Sequence, residues 1–396
     1  MSEPTEAAES IYLDNAATSY PKPAAVYDAV DRYMRHNGAS VGRGSHASAV
    51  AGKQLVEQCR QRVARILNAE SADRIAFTFN CTDSLNLLLR GILRSGDRVV
   101  TTKLEHNSVL RPLADLTEQI GITVEHVDFD SSTGFVDLQT MESAIEREPT
   151  KLVVLNHASN VTGVVQHAES VGRLAKSHGA HFLVDAAQTL GHVPVDVQRL
   201  NVDFLAAAGH KGLLGPLGTG VIYVRSGLEG QLQSIRSGGT GTESESMRQP
   251  TSMPTMLESG NMNALGIAGL NAAAEWLLDS GIDKLHQNSD RLFNALKTGL
   301  TNITGVDVFA GTDDATNVGI VSFTVEGVDS REVATILEQS FAIQCRAGLH
   351  CAPLAHQQLG TTALGGTVRL SVGPFTTDKQ VLTAVDAVTA ISAAMT

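Results

Sequence analysis

The chain has 396 residues, 42% of them hydrophobic and only 4% aromatic, with a formal net charge of -12. That length suits two or three domains around a large core. The acidic balance and the scarcity of aromatics exclude the basic footprint of a nucleic-acid or anionic-membrane binder, and no apolar run is long enough to span a membrane.

The opening stretch MSEPTEAAES is acidic and polar, without the basic start and apolar run of a signal peptide, so residues 1–10 read as a flexible leader. The four cysteines, Cys59, Cys81, Cys345 and Cys351, form no CxxC pair and no zinc-type spacing with histidine. Such usage fits a reducing cytoplasm and, for each thiol taken alone, an inert core position.

In chain order, QLVEQCRQRVARIL repeats its apolar residues at helical spacing, IAFTF is a short strand, DSLNLLLRGIL is helical and RVVTTK is a strand. ITVEHVDFD, KLVVLNHAS and HFLVDAA read as further strands, with the helix SVGRLAKSHG before the last of them. Strands alternating with helices predict an α/β fold whose mainly parallel sheet is covered on both faces. From about residue 262 an alanine-rich helix leads into a helix, strand, helix, strand, helix sequence, the pattern of a smaller α+β domain. The expected division is a large domain over 31–275 and a small C-terminal domain over 276–396, with a segment over 11–30 packing on the small one.

Ligands of open α/β sheets sit beyond the carboxyl ends of strands. HFLVDAAQ delivers Asp185 there, with Gln188 three residues on. Asp185 alone reads as a helix N-cap or half of a buried ion pair. Lys211 follows in the glycine-rich loop GHKGLLGPLGTG. A lysine in a water-poor pocket turns nucleophilic and forms Schiff bases with carbonyls. Pyridoxal phosphate needs such a lysine and an acid at its ring nitrogen, and Lys211 and Asp185 supply both. FTFNCTDSLN runs from strand into helix with Thr82 at the turn, which makes either an anion site at the helix start or a plain threonine N-cap. His210 adds a second donor beside the lysine.

Taken together, YLDNAATSYPKP, GRGSH, TDSLN, EHNSVLRP, SNVTG, VDAAQTLGHVPVDV, GHKGLLGPLGTG, RAGLHCAP and TVRLSVGPFTT run in order over nearly the whole chain. In that order and spacing the sequence resembles the class V aminotransferase group of fold-type I pyridoxal-phosphate enzymes. Within it, the nearest likeness is to group II cysteine desulfurases and selenocysteine lyases. The resemblance implies a pyridoxal 5'-phosphate Schiff base on Lys211, with Asp185 at the ring nitrogen and Gln188 at the ring hydroxyl. It implies His106 stacked on the ring and moving a proton, and Thr82 and His210 on the phosphate. Asn160 and Arg369 would grip the substrate carboxylate, with Arg346 as a further substrate contact. Two positions depart from the pattern. Ala208 stands where relatives carry a serine or threonine hydroxyl, which predicts weaker cofactor retention. Gly260-Asn261-Met262-Asn263 stands where many read GTxN, leaving Asn261 as the donor toward a neighbouring subunit's phosphate.

The resemblance assigns the reaction to Cys351. In desulfurases of this type a loop cysteine attacks the sulfur of L-cysteine, releases L-alanine and keeps the sulfur as a persulfide for an acceptor protein, such as one serving iron–sulfur cluster assembly. His350, its neighbour, is a candidate for lowering the pKa of the thiol, although adjacent residues often point apart. A selenocysteine lyase, another class V aminotransferase activity and a non-catalytic scaffold of the same fold remain open alternatives. A homodimer is implied, with GRGSH (including Arg43) and the loop from Ser237 to Glu243 reaching the partner's site.

Overall fold

The computed structural model describes residues 10–41, 44–243 and 245–395. Residues 1–9 of the expected leader, and Gly42 and Arg43 of GRGSH, lie outside the described residues. In chain order come β1 (Ile11–Tyr12), α1 (Ala24–His36), α2 (Ala47–Leu67), β2 (Ile75–Thr78), α3 (Cys81–Ile92), β3 (Arg98–Thr102), α4 (Asn107–Ile120) and β4 (Thr123–Val127). Next are α5 (Leu138–Glu146), β5 (Leu152–Asn156), α6 (Ala168–Ser177), β6 (His181–Asp185), β7 (Phe204–Ala208), β8 (Gly220–Val224) and α7 (Ala264–Ser280).

Strands β2 to β8 form one sheet in the order β2-β8-β7-β6-β5-β3-β4. Only β8 runs against the other six, since both of its pairings are antiparallel and β7 through β4 pair in parallel. Successive residues of each strand feed different cores. Ile75, Phe77, Val153 and Leu155 face one, with α2, α5, α6 and α7. Ala76, Leu152 and Val154 face the other, with α3 and α4. Burial on both faces is why these strands read as continuous apolar runs.

After Gly281 come α8 (Ile282–Thr301), β9 (Val306–Phe309), β10 (Ile320–Val325), α9 (Ser330–Phe341), β11 (Ile343–Gln344), β12 (Arg346–Gly348), α10 (Pro353–Gln358), β13 (Thr367–Ser371) and α11 (Asp378–Met395). Strands β12-β13-β10-β9 form an antiparallel sheet over a third core that α8, α9 and α11 cover. The expected boundary at residue 275 falls inside α7, which continues to Ser280 and whose Ala273, Ala274 and Leu277 belong to the large core.

The segment over 11–30 divides between the two bodies. β1 pairs in parallel with β11, and Leu13 is buried in the third core. Val26 of α1 instead joins the large core. The Cys351 turn also bridges, because β12 before it belongs to the small sheet while Ala352 and Ala355 after it sit in the large core.

Candidate active site

The carboxyl ends of the co-directional strands converge on one pocket with about 470 Å³ of empty space. Asn80, Cys81 and Thr82 enter it after β2, His106 and Ser108 after β3, Asn156 and Asn160 at and after β5, Asp185, Ala187 and Gln188 at and after β6, and Ala208, His210 and Lys211 at and after β7.

The local reasons differ. Asn80, not Thr82, caps α3, its side chain accepting from Asp83 N at 2.8 Å. An Asn cap answers one of the orphan amides of a helix start. Thr82 is thereby free, as the second helical residue, to place its Oγ1 2.7 Å from Ser108 Oγ. His106 caps α4, with Nδ1 accepting from Ser108 N at 3.0 Å. That bond puts the proton of the neutral ring on Nε2. Burial, then the charges of Lys211, Arg346, Arg369 and Arg111, push the imidazole down to about 4.

Asp185 ends β6, and the residues after it form a turn, so it caps no helix. Its Oδ1 accepts from Ala187 N at 2.9 Å and from Cys81 Sγ at 3.5 Å. Burial raises the carboxyl above its ordinary range. Lys211 is lowered, chiefly by burial and further by Arg369 and Arg346, against the opposing pull of Cys81 and Asp185. Its loop is drawn tight. A Cβ at Gly212 would meet Leu190 O at 2.5 Å, so only glycine lets the backbone pass there. The His210 carbonyl is clamped by Ser19 N at 3.1 Å and Lys22 Nζ at 2.8 Å.

The small domain brings its residues against the pocket. Arg369, 1% exposed on β13, donates to Asp14 Oδ1 at 2.8 Å and to the Asn160 carbonyl at 3.1 Å. Arg346 Nη2 lies 3.7 Å from Cys351 Sγ. Cys351 O accepts from Asn107 N at 2.7 Å, which joins its turn to the start of α4 beside His106. Both His350 and Cys351 are left-handed, with φ of 48° and 59°. Such successive non-glycine positions persist only where surrounding contacts hold them.

One expectation needs correction. His350 does not turn toward the thiol. Its buried ring bonds Thr367 through Nε2 at 3.1 Å, and burial lowers it well below the ordinary histidine range. Arg346 is the group beside the sulfur instead. Asn261, expected at a neighbouring subunit's phosphate, lies outside the Lys211 pocket of its own chain. It is exposed, accepts from Ser40 Oγ at 2.9 Å and lines a separate pocket with Phe79 and Arg236. The other cysteines are packed. Cys59 is fully buried and Cys345 half-buried, and burial pushes each thiol up to about 12.

Sequence reasoning passed over Asp14, Lys22, Asn80, Glu105 and Ser108. Only Asn80 carried a local signal, an Asn three residues before an acidic residue at a strand-to-helix junction. The others depend on contacts between distant segments. Among the described residues no cluster of metal-ligating side chains occurs, and no helix is long and apolar enough to cross a membrane.

The model of the aminotransferase class-V family matches residues 11–383. A probable cysteine desulfurase of Methanothermobacter thermautotrophicus is 35% identical, over 94% of this chain and 92% of its own length. A solved cysteine desulfurase of Thermococcus onnurineus superposes with a TM-score of 0.91 at 34% identity, covering 97% of this chain and 95% of its own. One from Escherichia coli, in an S-sulfonic acid form, gives 0.86 at 31% identity, covering 98% and 95%. The expected fold, a large domain with a mainly parallel sheet plus a smaller α+β domain, is that of these fold-type I enzymes, and both families use pyridoxal phosphate. The chain belongs to the aminotransferase class-V family.

Proposed function

We propose that the protein is a pyridoxal-phosphate-dependent cysteine desulfurase that converts L-cysteine to L-alanine and holds the sulfur as a persulfide on Cys351. The observation that carries the reading is the seating of Cys351 against both Arg346 and the start of α4, at the edge of the Lys211 pocket. The relatives named cysteine desulfurase support it.

The residues present fit the cofactor. Asn160 Oδ1, Gln188 Oε1 and His210 Nδ1, on three residues that line the pocket, are buried and have no partner among the described residues. Orphaned polar atoms of that kind are costly without a ligand to satisfy them. Thr82 and His210 would hold the phosphate, Gln188 the ring hydroxyl and Asp185 the ring nitrogen, with His106 against the ring face. A buried carboxylate gains most from a cationic partner, which suits Asp185 to a protonated ring nitrogen. Bound there through Lys211, the cofactor supplies an electron sink.

The chain's own groups do the rest. Burial shifts the Lys211 amine toward its unprotonated form, the form that can take up the α-proton of the substrate. Arg369, whose Nε is buried without a partner among the described residues, and Asn160 would orient the substrate carboxylate. Cys351 attacks the substrate sulfur as a thiolate, forming the S–S bond as the Cβ–S bond breaks. The electron pair stays with the carbon fragment, which takes up protons to leave as alanine. Cys351 is half-buried, so the persulfide remains within reach of an acceptor protein. We further infer a homodimer, in which Asn261 and the loop from Ser237 to Glu243 reach the partner's site.

The test is the yield of alanine and persulfide from L-cysteine, with selenocysteine and cysteine sulfinate in parallel. The Cys351→Ala variant is expected to lose both products from cysteine while its visible cofactor absorbance stays. Full desulfurase turnover by that variant would refute the assignment.

A further inference from the structure

Ser108 has no part in the roles described so far, yet it joins two groups that do. Its hydroxyl lies 2.7 Å from Thr82 Oγ1 and 2.8 Å from His106 Nδ1. Its backbone N–H donates to the same Nδ1 at 3.0 Å. Only 8% exposed, it lines the pocket that also contains Lys211 and Ala208. We propose that Ser108 is a positioning residue that couples the phosphate-side hydroxyl of Thr82 to the ring of His106. This rests on the pyridoxal-phosphate reading of the pocket.

The argument is a count of hydrogens. The Ser108 backbone N–H faces the lone pair of His106 Nδ1, so that nitrogen carries no hydrogen in the neutral ring. Ser108 Oγ has one hydrogen and two polar neighbours, Nδ1 and Thr82 Oγ1. An anionic oxygen beside Thr82 draws the threonine hydrogen to itself. Thr82 then presents a lone pair to Ser108, whose single hydrogen turns toward it. The Ser108 oxygen is left facing Nδ1 with a lone pair, which disfavours the neutral ring and works against the backbone N–H that favours it. Anion binding at one end of this three-residue chain and proton uptake at the other are thus linked through one hydroxyl.

The charges bearing on His106 give the link consequence. Arg346 and Arg369 on the small sheet and Arg111 on its own helix are cationic and oppose its protonation, as does Lys211 when protonated. An anion beside Thr82 is the opposite charge, and Ser108 provides a bonded path to it. The same hydroxyl fixes the rotamer of Thr82, which has no helix-capping duty because Asn80 performs it.

The test uses the holoenzyme. Cofactor loss on dilution is followed by visible absorbance for the wild type and Ser108→Ala, and the pH profile of kcat/KM is recorded for each. Ser108→Ala is expected to lose cofactor about tenfold faster, the loss of one hydrogen bond in an anion site. Its acid limb is expected to move to lower pH. Wild-type retention together with an unshifted profile in Ser108→Ala would overturn the proposal. So would a fall in the melting temperature of the cofactor-free variant that accounts for the loss, because that would make Ser108 merely structural. Absence of any visible cofactor band in the wild type would instead defeat the pyridoxal-phosphate reading itself.

Discussion

Asp14 and Arg369 stand 355 residues apart in the chain and form an ion pair at 2.8 Å, with the arginine 1% exposed. The pair fixes the guanidinium whose unpartnered buried Nε–H serves, in the proposed mechanism, the substrate carboxylate. Asp14→Ala leaves that cation buried with the Asn160 backbone carbonyl as its hydrogen-bond partner among the described residues. Removing one member of a buried pair costs about 3–5 kcal/mol, and the part-exposure of Asp14 argues for the lower end or below. The expected kinetic effect is a rise in KM for cysteine of about tenfold, larger than the fall in kcat. Steady-state kinetics check this, and an unchanged KM would show that Arg369 does not need Asp14 to hold its orientation.

Lys211→Ala should remove the cofactor's covalent anchor. Purified variant is expected to lack the Schiff-base absorbance and to lose turnover by several orders of magnitude. A variant that keeps the band would exclude Lys211 as the tether.

Several imidazoles pushed down by burial, His350 among them, contribute to the acid limb of stability. His106, His157, His210 and His356 are all pushed down to about 4, with burial as the largest cause. Between pH 6.5 and 4 the unfolded chain therefore binds protons that the folded chain does not. Stability falls as pH drops through that window, by on the order of 1–3 kcal/mol for each histidine. Denaturant titrations at pH 7 and pH 5 should show the loss. His356→Gln, outside the pocket, should lessen it, and an unaltered slope in that variant would remove His356 from the account.

Glu105 works in the opposite direction. Its Oε1 accepts from Asn156 N and Thr102 Oγ1, each at 2.9 Å, while burial pushes the carboxyl up to about 8. The folded state holds a proton there that the unfolded state releases above about pH 4.5. Its contribution is complete below that pH and is lost as pH rises through about 8. Glu105→Gln cannot ionise. Relative to the wild type it should therefore gain about 2–4 kcal/mol between pH 5 and pH 8. A difference independent of pH would mean that the carboxyl is ionised in the folded protein throughout.

What could be read from the sequence follows the reach of each interaction. The apolar spacing of α2 and the run HFLVD state their burial locally, Asp185 declares itself at the end of that run, and Lys211 by its glycine-rich loop. FLAAA does not. Three alanines have little strand preference, and β7 exists because β6 and β8 flank it. The capping role went to Asn80 over Thr82 by a shift of two residues, below what pattern reading resolves. The direction of His350 is not local information, because adjacent residues share a sequence but not a direction, and its partner Thr367 comes from β13. Ser108 was invisible as a pocket residue because it looks like any polar residue in the first turn of a helix.

The parallel pairing of β1 with β11, together with the Asp14 contact to Arg369, sets an order in time. A ribosome makes about 5–20 residues per second, so Asp14 emerges roughly 20–70 s before its partner exists. The large sheet can assemble in that interval, but the corner that Asp14 and Arg369 form cannot. The nascent protein thus completes the Lys211 pocket before that corner, and the Cys351 turn closes among the last parts of the molecule.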